Sequence, residues 1–311
     1  MYDTINLRLK QADVPNTDLF AEAPYYLKHI TETLHPNGVE SIRGNIDNLL
    51  VLVSPYSLNI KGGSLCKWFL GDNMQIMSRK SAEEAIERLS DTLHLPMDKA
   101  QVTRLDVANN FILKHPVCAY TCHLGTLQGK PPLKEPDALY YHYSGGRLCF
   151  YDKVKEQKKS RQPIPEMFVG RNVLRYEQRY LKDIPRQLNR SEVTAYMLYD
   201  EGFYIDVLKR WYAQYQRIKK INEQPIDLTH ISTKEDLYTC GIVALAQRFG
   251  GFNELVNHIT ILQKKGSISR QKAFNMRDRI NKASVHQFAL YPSEEIEELD
   301  KKVMQAIRYF R

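Results

Sequence analysis

Hydrophobic and polar residues alternate in the first half of the chain, whereas apolar residues recur with a helical period in the second half. The alternation of Ile5, Leu7 and Leu9 with polar neighbours is typical of a strand with one buried face. Ser81 and Glu84 form a capping-box pattern ahead of an apolar stripe, which predicts one helix among the strands. The predicted strands lie around 5–9 and at 49–53, 56–60, 65–70, 101–113, 139–143, 147–154 and 173–181.

Helical patterns dominate after Pro185. The predicted helices lie at 191–221, 233–249, 252–264, 267–282 and 293–309. We therefore predict an α+β fold, in which an antiparallel-sheet domain over residues 1–188 is followed by an all-helical domain over residues 189–311.

The charge of the chain is concentrated in its middle. The 311 residues carry 44 Lys and Arg against 36 Asp and Glu, a net charge of +8. Residues 101–190 hold sixteen basic and eight acidic side chains, so this block alone equals the whole excess. A basic protein makes a polyanion such as nucleic acid the first partner to consider.

The composition excludes several classes of protein. A hydrophobic content of 43% excludes disorder as the main state, and no apolar run approaches the roughly 20 residues that a membrane span needs. Five cysteines are an odd number in a chain that is too long to need disulfides for stability. We therefore expect reduced thiols, no membrane partner and a cytoplasmic location.

Strand parity sorts the side chains of three predicted strands onto two faces. In VTRLDVA, Arg104 and Asp106 lie opposite the apolar positions. In RLCFYDK the polar face carries Arg147, Cys149, Tyr151 and Lys153. In LRYEQRYL it carries Arg175, Glu177 and Arg179. If these strands join one sheet, two carboxylates, a tyrosine, a lysine and four arginines converge.

Such a cluster predicts transfer of a DNA phosphodiester to a tyrosine. The phenol of Tyr151 has an ordinary pKa of about 10 and needs help to lose its proton, and Lys153 is a candidate to stabilise the phenolate. Asp106 and Glu177 are candidate ligands of Mg²⁺ or Mn²⁺, which prefer oxygen ligands. The arginines are candidates to hold the flanking phosphates.

Each of these side chains also has a structural interpretation. Tyr151 can be a half-buried packing residue, Asp106 can pair with Arg104, and Glu177 between two arginines can belong to an ion-pair ladder. Parity alone leaves both interpretations open.

Three segments in this order, VTRLDVANNF, RLCFYDKVKEQ and VLRYEQRYLKD, resemble the conserved blocks of phage and plasmid replication initiators of the gene II/X type. The opening MYDTINLRL also resembles the start of these proteins, which include filamentous-phage nicking proteins. Plasmid rolling-circle initiators and relaxases of the Rep_trans class are more distantly similar. The resemblance covers about residues 1–185.

The resemblance implies that Tyr151 is the nucleophile, that Asp106 and Glu177 bind a metal ion, and that Lys153 and Glu156 belong to the nucleophile block. The His-apolar-His pair of the better-known initiators does not occur in this sequence. The expected metal therefore depends on the carboxylates, with His142 or Glu156 as the candidate third ligand.

The implied function is metal-dependent nicking and joining of one DNA strand at a specific origin, which starts rolling-circle replication of a phage or plasmid. The implied partners are origin DNA, as a duplex or hairpin with a single-stranded nick site, and a host helicase and polymerase. A homodimer is a further expected assembly. A relaxase for conjugative mobilisation and a non-catalytic DNA-binding protein are the alternatives.

Basic residues outside the parity faces are further candidates for DNA contacts. Lys155 lies in a basic run directly after the nucleophile strand. Lys272 and Arg277 lie on a predicted helix opened by Ser267, which is either the recognition helix of a helix-turn-helix or a packed helix with the apolar stripe Ile268, Phe274 and Ile280. The full set of candidate DNA-binding residues is Arg104, Arg147, Lys155, Arg175, Arg179, Lys272 and Arg277.

The segment HPVCAYTCH suggests a zinc site, but its C-x3-C pair lacks a second pair of ligands. We therefore expect Cys118 and Cys122 to be buried, reduced thiols.

Overall fold

The computed structural model describes residues 1–221, 231–249, 251–284 and 294–310. The fold is α+β, as predicted, with a ten-stranded antiparallel sheet followed by a helical C-terminal region. The strands are β1 (Tyr2–Lys10), β2 (Lys28–Leu34), β3 (Glu40–Ile46), β4 (Leu49–Ser54), β5 (Ser57–Lys61), β6 (Gln101–Leu113), β7 (Leu124–Leu127), β8 (Leu133–Glu135), β9 (Ala138–Tyr143), β10 (Gly146–Asp152), β11 (Asn172–Tyr180) and β12 (Ile218–Lys220). The helices are α1 (Leu19–Glu22), α2 (Leu65–Leu70), α3 (Arg79–Leu93), α4 (Val117–Thr121), α5 (Lys153–Lys159), α6 (Ile184–Gln187), α7 (Glu201–Gln216), α8 (Lys234–Arg248), α9 (Phe252–Lys264), α10 (Arg270–Ser284) and α11 (Glu294–Tyr309).

The large sheet places the three chemistry-bearing strands side by side. Its strand order is β2-β3-β4-β5-β1-β6-β11-β10-β9-β8, so β6, β11 and β10 are direct neighbours. The register between β10 and β11 pairs Tyr151 with Arg175 and Cys149 with Glu177. The predicted strands at 101–113, 139–143 and 173–181 are confirmed to within one residue.

Helix α7 covers one face of this part of the sheet. The rings of Phe150 and Tyr176 stack with centroids 4.5 Å apart, and Tyr176 stacks in turn on Trp211 of α7 at 4.6 Å. The Tyr176 hydroxyl donates a hydrogen bond to the Trp211 carbonyl at 2.9 Å. Because α7 packs on this apolar face, the polar side chains of opposite parity lie on the other face.

Two predicted strands are wrong in a way that matters for the site. Residues 65–70 form helix α2, because the Ser64 hydroxyl accepts a hydrogen bond from the Lys67 N–H and caps the first turn. The strand predicted over 147–154 ends at Asp152, whose side chain accepts from the Lys155 N–H and caps helix α5. Lys153 is therefore the first residue of a helix and does not share a strand face with Tyr151.

Smaller differences concern element ends, one hairpin and the helix predicted over 191–221, of which only Glu201–Gln216 is α-helical while Ile218–Lys220 forms strand β12. Helix α3 begins at Arg79 with Ser78 as its cap, two residues before the predicted start at Ser81. The β2–β3 hairpin was not predicted, because every residue of β2 is exposed and no buried face produces an alternating pattern. Residue 293, the first of the last predicted helix, lies outside the described residues.

The chain forms two compact units. The first comprises Met1–Ile112, Leu133–Gln214 and residues 304–310, and it contains the large sheet. The second comprises Leu113–Pro132 and the described residues of Tyr215–Val303, with the β7–β12 pair and helices α8 to α10. The predicted domain boundary at residue 188 stays a prediction. Among the helices that the structure describes, none is long and apolar enough to cross a membrane.

Candidate active site

The predicted nucleophile contacts one of the predicted acids. Tyr151, near the end of β10, donates a hydrogen bond from its hydroxyl to Oε2 of Glu177 on β11 at 3.3 Å. Tyr151 is partly buried, and Glu177 is only 1% exposed. Burial raises the pKa of the Tyr151 phenol well above its ordinary value, and the charge of Glu177 raises it further. The resting side chain is therefore a protonated phenol with a carboxylate as its hydrogen-bond acceptor.

Both predicted acids are paired with arginines. Asp106, which is completely buried, accepts from Arg104 through Nε to Oδ1 at 3.0 Å and through Nη2 to Oδ2 at 2.5 Å. Glu177 accepts from Nη2 of Arg179 at 2.8 Å, and Nε of Arg179 lies 3.9 Å from Oδ2 of Asp106. The structure thus brings Asp106, Glu177 and Tyr151 together, and it also contains the ion pairs of the structural interpretation.

The two acids ionise differently. Burial raises the pKa of Asp106 to about 7, although the hydrogen bonds from Arg104 act against this. Burial acts in the same direction on Glu177, but the charges of Arg179 and Arg175 lower the pKa of this carboxyl below its ordinary value. Two adjacent buried carboxyl groups resist joint ionisation. Glu177 is therefore the more strongly ionised member of the pair.

Arg175 lies beneath the site. It is 1% exposed, its Nη2 lies 2.8 Å from Oδ2 of Asp3 on β1, and its Nη1 donates to Oδ1 of Asn110 at 3.1 Å. A direct phosphate contact, as the sequence predicted, does not fit this buried position. Asp3 and Asn110 were missed as site residues. The signal for Asp3 was its place in the opening MYDTINLRL, and Asn110 lies in the block VTRLDVANNF.

Lys153 is also buried. It is 1% exposed, and its Nζ lies 2.6 Å from Oε2 of Glu156, which is three residues further along α5. Burial lowers the pKa of Lys153, and the neighbouring charge of Arg175 lowers it further. The predicted role of Lys153 beside the phenolate stays a prediction, with α5 rather than β10 positioning its side chain.

Arg147 differs from the other arginines of this face. Its Cζ lies 5.9 Å from the ring centroid of Tyr140, and its Nε is buried without a hydrogen-bond partner within the part of the chain that the structure describes. Arg104, Arg175 and Arg179 each lie within 2.8 Å of a carboxylate oxygen. Arg147 therefore retains a positive charge that no acid of the described residues neutralises, as a phosphate-binding arginine requires.

The carboxylates do not form a ligand set for a divalent cation in this arrangement. Both oxygens of Asp106 accept from Arg104, and Oε2 of Glu177 accepts from Arg179 and Tyr151. In the described ranges 1–221, 231–249, 251–284 and 294–310, no group of three or more His, Cys, Asp or Glu side chains is placed to hold a metal ion.

The two candidate third ligands do not complete the set. His142 is exposed on β9, where it pairs in register with Arg147. Glu156 binds Lys153 through Oε2 and accepts from the Ser160 hydroxyl through Oε1. The predicted Mg²⁺ or Mn²⁺ therefore does not fit the side chains as they lie, and the metal requirement stays a prediction.

The remaining candidate DNA-binding residues lie outside this cluster. Lys155 on α5 is 59% exposed and binds Oδ1 of Asp137 at 2.9 Å. Lys272 on α10 is exposed, whereas Nη1 of Arg277 donates to Oε1 of Gln263 on α9 at 2.9 Å. The Lys272 side chain is thus accessible to DNA, and Arg277 connects two helices.

Helix α10 differs from its prediction at two points. It begins at Arg270 rather than at Ser267, and the Ser269 hydroxyl accepts from the Lys272 N–H in its first turn. Phe274, which was predicted in the apolar stripe, is 61% exposed. The other two residues of the predicted stripe are confirmed, because Ile280 is buried with Ala273 in a core that includes residues of α8 and α9, and Ile268 packs against this core.

The cysteine prediction is wrong in one respect. All five cysteines are reduced thiols, but Cys118 and Cys122 are exposed rather than buried, because the short helix α4 and the residue that ends it turn both side chains outwards. No zinc ligand group forms around them among the described residues.

The comparison with known proteins identifies a family for the N-terminal part of the chain. The family model that describes the N-terminal region of the phage gene II replication-associated protein matches residues 1–200, which include every side chain of the cluster from Asp3 to Arg179. No curated protein matches the sequence. The match confirms the resemblance to gene II-type phage replication initiators. The chain therefore belongs to the gene II family of phage replication-associated proteins.

Proposed function

We propose that the protein nicks and rejoins one DNA strand at a specific origin, with Tyr151 as the nucleophile, to start rolling-circle replication. The observation that carries this proposal is the hydrogen bond from the Tyr151 hydroxyl to buried Glu177 on an arginine-rich sheet face. Family membership supports a role as a replication initiator that binds origin DNA.

In the proposed step, the Tyr151 oxygen attacks the phosphorus of the scissile phosphodiester. The Oη–P bond forms as the P–O3′ bond breaks, and the 5′ phosphate remains bonded to the tyrosine. As the Oη–P bond forms, the phenol becomes strongly acidic and its proton passes to Glu177, the acceptor that it already contacts, while the leaving 3′-oxygen takes a proton from solvent. The 3′-hydroxyl is then a primer for a host polymerase, and its attack on the phosphotyrosine rejoins the strand.

Positive side chains on the same face would stabilise the transition state. Negative charge develops on the phosphoryl oxygens, and fixed cations in a partly buried site oppose it strongly. Arg147 is the best candidate for the scissile phosphate, because its charge has no carboxylate partner in the described chain. Arg179 is 18% exposed and binds Glu177, and Lys155 is exposed for a flanking phosphate.

The same ion pairs would also stabilise the sheet of a non-catalytic DNA-binding protein. The position of Tyr151 favours the enzyme, because a packing tyrosine has no need of a buried carboxylate acceptor on a sheet face that also carries Arg147, which has no hydrogen-bond partner for its Nε in the described chain. A relaxase would use the same chemistry at a transfer origin, so the DNA sequence that is cut distinguishes it from an initiator.

The test uses a supercoiled, labelled plasmid that carries the replication origin of the element encoding the protein. Wild-type protein with Mg²⁺ or Mn²⁺ is expected to form a protein–DNA adduct that survives detergent, and a parallel reaction with EDTA tests the metal requirement. Tyr151→Phe is expected to abolish the adduct, and Tyr56→Phe, at a residue that is 70% exposed, is the control. An adduct that persists in Tyr151→Phe contradicts the proposal, as does wild-type protein that binds the origin without ever forming one.

A further inference from the structure

A cavity of about 260 Å³ lies beside Tyr151. It is bounded by the β8–β9 turn, by α5 from its cap Asp152 to its last residue Lys159, and by the sheet face that carries the candidate site. Drug-sized ligands occupy pockets of about 300–1,000 Å³, so this cavity suits a smaller group such as a single base. Its lining includes Tyr151 and Arg179, which makes it continuous with the candidate active site.

The charges of the wall do not suit a phosphate. Four acidic side chains line the cavity, against the two cations Lys159 and Arg179. Lys159 is already bound to Asp137 at 2.8 Å, and Arg179 to Glu177 at 2.8 Å. A phosphate would therefore meet a surplus of negative charge, whereas an uncharged base would not. The acidic lining residues are Glu135, Asp137, Asp152 and Glu156.

Tyr140 supplies an aromatic wall. It lies on β9, partly buried, and its ring is flanked by the guanidinium of Arg147 at 5.9 Å. Burial raises the pKa of its phenol, and the nearby charge of Glu135 raises it further, so the ring stays neutral. Unpaired bases stack on such rings whatever their sequence.

Glu135 supplies an unused hydrogen-bond acceptor. Asp137 accepts from Lys155 and Lys159, Asp152 from the Lys155 N–H, and Glu156 from Lys153. Within the described ranges, the Glu135 carboxylate has no such partner. Cytosine, adenine and guanine carry an exocyclic amino group that can donate to it. Thymine has no such group, and the carbonyl oxygens on both sides of its single N3–H donor repel a carboxylate.

We propose that this cavity binds one unpaired base of the cleaved strand, stacked on Tyr140, and selects a base with an exocyclic amino group through Glu135. The inference rests on the proposed function, because the base belongs to the strand that Tyr151 attacks. The base would hold the adjoining phosphate near Tyr151 and Arg147.

The test measures binding without cleavage. Full-length Tyr151→Phe protein is titrated into fluorescein-labelled homopolymers of deoxycytidine and of thymidine of equal length, and anisotropy gives each Kd. The deoxycytidine homopolymer is expected to bind about 5-fold more tightly or better. Adding Tyr140→Ala is expected to weaken its binding by about 5-fold or more, and Tyr140→Phe to preserve it. Adding Glu135→Gln is expected to remove the preference for deoxycytidine, because the amide of Gln can also donate a hydrogen bond to a carbonyl oxygen of thymine.

Matched controls are Tyr56→Ala and Glu40→Gln, at exposed positions elsewhere in the first unit, and thermal unfolding confirms that each variant folds. Equal affinities for the two homopolymers, or a preference that survives Glu135→Gln, overturn the base pocket. The plasmid assay separates this result from the proposed function. If the protein–DNA adduct forms but the deoxycytidine preference is absent, only the base pocket is overturned. If the preference is present but no adduct forms, only the proposed nicking is overturned.

Discussion

Arg175 connects the first strand of the chain to the candidate active site. Its Nη2 lies 2.8 Å from Oδ2 of Asp3 on β1, and its Nε lies 4.0 Å from Oε2 of Glu177, so it reaches across β6. The Ser64 hydroxyl donates to the other oxygen of Asp3 at 2.8 Å. The hydrogen-bond acceptor of Tyr151 thus lies next to a positive charge whose own position depends on β1.

Asp3→Asn is expected to lower the free energy of unfolding by about 3 kcal/mol or more, because it leaves the buried guanidinium of Arg175 without its partner charge. Urea unfolding monitored by fluorescence measures the loss. The matched control is Asp47→Asn, which breaks the exposed pair with Lys28 and is expected to cost less than about 1 kcal/mol. Equal losses of unfolding free energy in the two variants would show that Asp3 does not stabilise the buried charge of Arg175.

Asp106 is expected to make stability depend on pH. Its pKa is about 7 in the folded protein and is thus raised above the ordinary value of 3.8, so the folded state holds a proton that the unfolded state releases. The resulting stability is fully present below the unfolded pKa and is lost as the pH rises through about 7. Between about pH 5 and pH 8, wild type is expected to lose more stability than Asp106→Asn. An equal change of stability with pH in the two proteins would contradict the raised pKa of Asp106.

Arg104 is expected to keep metal ions away from Asp106. Because it occupies both carboxylate oxygens, millimolar Mn²⁺ is expected to leave the Tm of wild type unchanged and to raise that of Arg104→Gln. The double variant Arg104→Gln with Asp106→Asn is the control and is expected to lose the rise. A Mn²⁺-dependent rise in the Tm of wild type would show that the ion displaces Arg104 from Asp106.

Arg147 is expected to bind a DNA phosphate. Arg147→Gln is expected to weaken binding to single strands of any sequence and to reduce the slope of log K against log salt by about 1. Arg43→Gln is the control, since Arg43 is exposed on β3 near the far edge of the sheet. Anisotropy at several salt concentrations measures both slopes, and an unchanged slope in Arg147→Gln rules out the contact.

Lys272 and Arg277 are expected to behave differently although both were predicted as DNA contacts. Arg277→Ala removes the hydrogen bond to Gln263 and is expected to destabilise the second unit by about 1 kcal/mol, whereas Lys272→Ala is expected to leave its stability unchanged. Lys272→Ala is instead expected to weaken binding to origin duplex. Unchanged duplex binding in Lys272→Ala would exclude this contact between α10 and DNA, and a loss of stability would contradict a purely exposed role for Lys272.

Strand parity predicted the central features of the site because β6, β10 and β11 are neighbours with one covered face. Alternation then places Asp106, Tyr151 and Glu177 on one face of the sheet, and the register between β10 and β11, which alternation does not give, brings Tyr151 within reach of Glu177. The same alternation cannot show where a strand ends. Asp152 fits a strand position as well as a helix cap, so Lys153 was assigned to the wrong element.

Burial of charged residues was the other limit. Arg175 and Arg179 have the same parity, yet one is enclosed and the other is partly open to solvent. The difference comes from Asp3, Asn73 and Asn110, which belong to other strands and loops and surround Arg175 only in the folded chain. Sequence periodicity predicts which face of a strand a side chain lies on, but it does not identify the polar residues of other elements that pack against that side chain.

The contact between Tyr176 and Trp211 bears on how the sheet can be isolated for experiments. The family match ends at residue 200, but Trp211 stacks on Tyr176, directly behind the strand that carries Arg175 and Glu177. A fragment cut at the end of the match would remove α7 together with Trp211 and expose the ring of Tyr176 to water. An expression fragment that retains the site should extend at least to Gln214, where this stretch of the first unit ends.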